Sequence, residues 1–246
     1  MTRTFIPITV LALLLAISPP GLAQETKAAK EIQADETTAT IPILSDFHEV
    51  IFTIWHTAWP EKNVAMLSQL APDVRRYSDS LAKVQLPGIL RDKESQWRKN
   101  IDQLVTIVGE YEKASSPVDS SALLDAAERL HAQYEALVRI TRPPLKEVEA
   151  FHQVLYVIYH HYLPAKNLEK LAPAVSDLKE KMTALDTVRL PERQKKREAA
   201  FLEARKKLSA SVASLDVSQL DTDFAAFASA VETMHGDYQA LERVFE

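Results

Sequence analysis

The chain has 246 residues, 46 % of them hydrophobic and 26 % charged, with a formal net charge of −5. That is a globular composition, and its acidic balance argues against nucleic acid, whose binding needs a cationic face. Cysteine is absent and glycine occurs four times, which excludes disulfides, thiolate metal sites, c-type haem attachment and a lipoprotein anchor and disfavours glycine-rich phosphate loops and turn-rich β folds.

Residues 1–23 read as a secretory signal peptide. Arg3 supplies the positive end, residues 5–17 are apolar, and Pro19-Pro20-Gly21 breaks the run. Gly21 and Ala23 are the small residues that precede cleavage before Gln24. The alternative is a membrane anchor, for which the run is short: a span needs about 20 residues. The expected mature protein is periplasmic or secreted, with no stable membrane insertion. Residues 24–44 form the expected linker, and 24–40, rich in Ala, Thr, Lys and Glu without apolar period, read as a disordered tether.

The first predicted helix covers about 45–59, with Ser45 or Asp46 as cap, Phe47, Ile51, Ile54, Trp55 and Ala58 at helical spacing, and Pro60 as stop. A turn is expected over 63–70, then a second helix from Pro72 to about residue 84. Leu86-Pro87-Gly88 breaks the chain. The third helix spans about 89–113 and the fourth about 120–140, stopped by Pro143-Pro144. The order then recurs: helices over 145–163, from Pro173, over 192–213 and over 222–245.

Residues 47–63 read FHEVIFTIWHTAWPEKN and residues 151–167 read FHQVLYVIYHHYLPAKN. HAQYEALVR from His131 is echoed by HGDYQALER from His235. His48 and His152, His56 and His160, and His131 and His235 all share one offset of 104 residues, and only His161 is single. The expected fold is therefore all-α: a tandem duplication of an up-and-down four-helix unit over 45–142 and 143–246, about eight main helices related by a pseudo-twofold axis. The motif resembles that of a group of secreted bacterial helical proteins with FHxxxxxxxH…PxK(N/D) repeats. The resemblance covers residues 45–246 and implies export and a helical bundle, with no activity attached.

His48 and His56 are separated by about 12 Å of rise and about 80° of rotation on a helix, so they cannot share one ion there. Helices 1 and 4 of such a bundle are antiparallel neighbours. Counting along them puts His48 level with His131, and His152 level with His235, within about one turn. These four are the expected metal ligands, and imidazole without thiolate suits Zn(II), Cu(II) or Ni(II). His56, His160, Glu128, Glu232, Tyr134 and Tyr238 are the candidates for a second metal or for orienting the ligands. Glu128 and Glu232 precede a histidine by three, the spacing of di-iron bundles, but the further inward glutamates such sites need are missing.

The expected function is a non-catalytic metal-binding protein for sequestration, delivery or sensing. Two rivals stand beside it. One is a b-type haem bundle with His48 and His131 as axial ligands, against which bulky Phe52 and Trp55 count. The other is a structural or interaction module whose histidines are core polar groups. No nucleophile–base motif, H-E-x-x-H, Walker or Rossmann fingerprint is present, so no enzyme is expected. N-terminal sequencing of the exported protein should begin at Gln24; a retained apolar segment in the membrane fraction overturns the export reading.

Overall fold

The computed structural model describes residues 35–245; the expected signal peptide and residues 24–34 of the expected tether lie outside them. The main helices are α1 (Pro42–Thr53), α2 (Val64–Leu81), α3 (Glu94–Ser115), α4 (Ser120–Thr141), α5 (Lys146–Val157), α6 (Leu168–Asp186), α7 (Glu198–Ala213) and α8 (Phe224–Arg243). A one-turn helix, Gln219–Thr222, precedes α8. There is no strand among the described residues, and no helix among them is long and apolar enough to cross a membrane.

The apolar period determines which faces are buried. In α1 the inward positions are Leu44, Phe47 and Ile51, continued by Ile54 and Ala58. In α4 they include Leu123, Ala127, Leu130, Tyr134 and Leu137. Sequential helices pack together, and α1 closes against α4. One core is thus formed by α1–α4 around Phe47, Trp97, Tyr111 and Leu130. A second is formed by α5–α8 around Phe151, Leu178, Phe201 and Tyr238. Phenol hydroxyls bind across the first core: Tyr111 Oη donates to the Leu67 carbonyl at 2.8 Å and Tyr134 Oη to that of Leu44 at 3.1 Å. Ile41 and Leu44 are 5 % exposed. The folded part therefore starts earlier than residue 45, with Pro42 in the first turn of α1, where its missing N–H costs nothing.

The retained Pro-x-Lys-Asn echo has a local explanation. Helices α1 and α5 each run on into one π-helical segment, Ile54–Ala58 and Ile158–Tyr162. In each, a wide turn closes: Trp59 N–H donates to the Ile54 carbonyl at 2.8 Å, and Leu163 N–H to that of Ile158 at 2.9 Å. Lys62 and Lys166 then take the left-handed conformation, φ 51° and 48°. That reverses the chain so that Asn63 and Asn167 cap the next helix, their side chains accepting from Met66 N–H at 3.0 Å and Lys170 N–H at 3.2 Å. This cap starts α2 at Val64 and α6 at Leu168. Pro72 and Pro173 consequently lie inside helices rather than at their beginnings, as the sequence had suggested. An interior proline costs about 3 kcal/mol, so the cap and the packed faces outweigh it.

Helices α3 and α7 are each preceded by a 3₁₀ turn, Gly88–Lys93 and Glu192–Arg197. The first packs against α5. Its Ile89 and Leu90 form a third, small apolar cluster with Tyr156, flanked by Ala39, Leu86 and Val157. A Cβ at position 88 would stand 2.0 Å from Tyr156 Oη and 2.8 Å from Cζ. Gly88→Ala should therefore lower stability by about 1–3 kcal/mol through overpacking. Adding Tyr156→Phe should recover part of that loss, measured by chemical denaturation; an unchanged Gly88→Ala midpoint sinks this reading of the junction.

Candidate functional site

The histidines stand at the rims of the two cores, and none of the seven is buried. His131 stacks on Trp55 with ring centroids 4.2 Å apart and 6° between planes, and His235 stacks on Tyr159 at 4.1 Å and 14°. His48 lies 5.9 Å from Tyr134, and His152 stacks on Tyr238 at 4.5 Å. His56 rests on Phe52 at 4.5 Å and His160 on Tyr156 at 4.7 Å. The ring pairs closest between helices are therefore His with aromatic. The nearest His–His ring pair among these contacts is His160 with His235, 6.4 Å apart and 86° inclined.

Counting from the helix ends shows why. His48 and His152 are both the seventh residue of their helices, α1 from Pro42 and α5 from Lys146. At that depth from the opposite ends of α4 (Thr141) and α8 (Arg243) stand Tyr134 and Tyr238 within about one residue, and His131 and His235 lie one turn deeper. A count across the Pro143-Pro144 connection compares α4 with α5, helices of different halves, and so does not give the register of α1 against α4. Among the described residues, no group of three or more His, Asp or Glu side chains is arranged to hold a metal ion. Glu232 accepts from Tyr159 Oη at 2.7 Å, and Glu128 is exposed.

The second half carries an additional layer that the histidine pattern did not reveal. Arg91 of the Gly88–Lys93 turn donates to Tyr156 Oη and lies 3.1 Å from His160 Nδ1. Arg91 is a donor only, so Nδ1 accepts, and the neutral imidazole carries its proton on Nε2. Asp92 accepts from Gln239 at 3.3 Å. Glu36 Oε2 lies 2.8 Å from His161 Nε2, a charge contact outside hydrogen-bond alignment, and accepts from Tyr156 Oη at 3.4 Å. The signal for Trp55 and Tyr159 was available, since they share the histidine offset; Arg91 and Asp92 had none, because Lys195 and Lys196 stand at their counterpart positions.

Burial favours the neutral form of His131, His152, His160 and His235. His152 is pushed down to about 3, first by burial, with Asp92 opposing. It lines a groove of about 610 Å³ between the halves and so retains some exposed area, but protein atoms crowd its other sides. His160 is lowered to about 4 by burial and then by Arg91, and burial also lowers His131 and His235. Tyr159 is raised to about 12, chiefly by its hydrogen bond to Glu232. Groove walls of both signs, with Arg139, Arg142 and Arg193 facing Asp92 and Glu149, give no single charge preference.

No family model matches the chain, and neither does any curated protein or solved structure.

A histidine lowered in the folded state stabilises the fold above its unfolded value, about 6.5, and that stability is lost as pH falls toward the folded value. His152 and His160 have folded values of about 3 and about 4. Stability should thus fall from pH 7 to pH 4.5, with unfolding at pH 5 taking up about two protons from this pair. His152→Gln with His160→Gln should flatten the slope, read from denaturation midpoints against pH; an unchanged slope would refute the assignment.

Proposed function

We propose that this chain is an exported, non-catalytic docking protein of two repeated four-helix units, whose functional surface is the aromatic–histidine face of the first unit around Phe52, Trp55, His56 and His131. The observation that carries the reading is a difference between counterparts. Tyr156 lies under the Gly88–Lys93 turn and is 1 % exposed, whereas Phe52, offset by 104 residues, is 50 % exposed. The repeat reading is supported by the recurring helix order, the paired π-helical segments and the paired Asn caps.

On this reading the imidazoles are flat rings that extend the aromatic face, and burial favours the neutral form of His131. Stacked on Trp55, His131 adds area without adding a charge, and aromatic residues with imidazole neighbours suit contact with a short apolar or cationic segment. The second unit illustrates such an occupant, with Ile89 and Leu90 on the apolar cluster and the Arg91 guanidinium 5.1 Å above the Tyr156 ring.

A second reading, a divalent transition metal held by histidines, is favoured by the approach of His160 to His235 at 6.4 Å. Two imidazoles on one zinc with Zn–N near 2.0–2.1 Å and a tetrahedral angle bring ring centroids to about 5 Å. Ligation by His160 would also require Nε2 to give up its proton to Nδ1, which faces a donor on Arg91. Metal binding there needs Arg91 to move, so the docking reading stands first.

Peptides copying residues 86–95 and 190–199, titrated into the intact protein, should shift the emission of Trp55, and Phe52→Ala should remove the response. No shift from either peptide sinks the docking reading. Calorimetry with Zn(II) and Cu(II) judges the metal reading: it requires stoichiometric heat that disappears in His160→Ala with His235→Ala, whereas the docking reading expects none.

A further inference from the structure

The second half shows how a 3₁₀ turn seats on this kind of face, and the chain contains a second such turn. Glu192–Arg197 follows Leu190-Pro191 as Gly88–Lys93 follows Leu86-Pro87. The first turn buries Ile89 and Leu90; the second buries none of its residues. One docking face is thus open in the first half, and the counterpart turn in the second keeps Glu192, Arg193 and Lys196 exposed, while Lys195 pairs with Glu198 and Arg197 donates to the Val244 carbonyl.

The changes between the two faces match the changes between the two turns. Where Gly88 meets the Tyr156 hydroxyl, Glu192 would meet Phe52, which has no hydroxyl to collide with a side chain. Where Ile89 and Leu90 pack beside Val157, Arg193 and Gln194 would lie beside Thr53, so a more polar turn faces a more polar wall. Where Asp92 accepts from Gln239, Lys196 would face Glu135, and a neutral-to-anion contact becomes an ion pair. Each pair is read at the same offset of 104 residues.

Charge points the same way. Residues 192–197 carry four cations and one anion, of which Arg197 is engaged with the Val244 carbonyl and is not counted toward the contact. Glu128 and Glu135 flank His131 by three and four residues, hence on one side of α4, and neither is ion-paired with a cation among the described residues. Arg193 and Lys196 are exposed and likewise have no ion pair among the described residues. Lys195 is held by Glu198 at 2.7 Å and is not counted toward the contact.

We propose that copies of this chain associate head to tail, the Glu192–Arg197 turn of one copy seating on the Phe52, Trp55 and His56 face of the next. The inference rests on the docking reading and names its occupant as a second copy. Because the face and the turn lie in different halves, each copy offers one of each to its neighbours. Assembly then closes as a reciprocal dimer or a ring, or continues as an open fibre, according to the rotation between copies.

Sedimentation of the intact chain over a concentration series should reveal association that weakens with salt, since rim charges are screened within about 10 Å at 0.1 M. Lys196→Glu and Glu135→Lys should each weaken it about five- to ten-fold. The double variant, which restores opposite charges, should recover most of the affinity. Phe52→Ala should abolish association while leaving the circular dichroism spectrum unchanged. A monomer at every concentration, or association indifferent to these three changes, overturns the proposal. If the chain is monomeric while either peptide still binds the Phe52 face, the docking reading survives and only the second-copy occupant falls; if no peptide binds either, both fall.

Discussion

The hydroxyl of Tyr156 occupies the space where any side chain at position 88 would begin, so the turn beside it can approach only as glycine. That approach brings Arg91 onto Tyr156 and His160 and places Asp92 beside Gln239. It also buries Ile89 and Leu90, which otherwise belong to neither main core. The two helical halves each bury their own apolar faces, and helix periodicity alone would build both. How they are joined depends on this one close contact and on the residues it admits.

The same contact bears directly on the chemistry of His160. An imidazole can be a metal ligand, a base, a cation or a flat polar ring, and its surroundings select among these roles. Here burial disfavours the cation at His152 and His160, and Arg91 adds to this at His160 while fixing its proton on the nitrogen that faces away. Stacking on Trp55 and Tyr159 uses the faces of His131 and His235. The carboxylate three residues before His235 is engaged by a tyrosine hydroxyl rather than by an imidazole. Contact with an aromatic ring is thus what the recurring histidines have in common, stacked at His131, His152 and His235 and tilted at His48, His56 and His160.

Phe52 and Tyr156 share the offset of 104 residues, yet one is half exposed and the other covered. The difference does not arise within the helix. It comes from a turn more than sixty residues away in sequence that reaches one face and not the other. Similar sequence segments in one chain can thus be covered in one place and exposed in the other, because burial of a surface depends on what lands on it.

Helix number, helix order and the core stripes were legible in the sequence, because apolar spacing near 3.6 and the Pro and Asn positions are local signals. Phe47, Ile51, Ile54 and Ala58 lie inward as their spacing required. Asn63 and Asn167 cap the next helices as their place after Pro-x-Lys allowed. The internal prolines Pro72 and Pro173 misled because a single strong cap upstream overrides a weak local preference for a helix start. The candidate site was legible as a set of positions but not as pairs. The offset of 104 residues identified which histidines recur, while their partners depended on the register of α1 against α4 and of α5 against α8. One turn of that register exchanges a histidine for a tyrosine or tryptophan. It is set by the packing of whole helix faces, a property of two elements together that neither sequence segment carries alone.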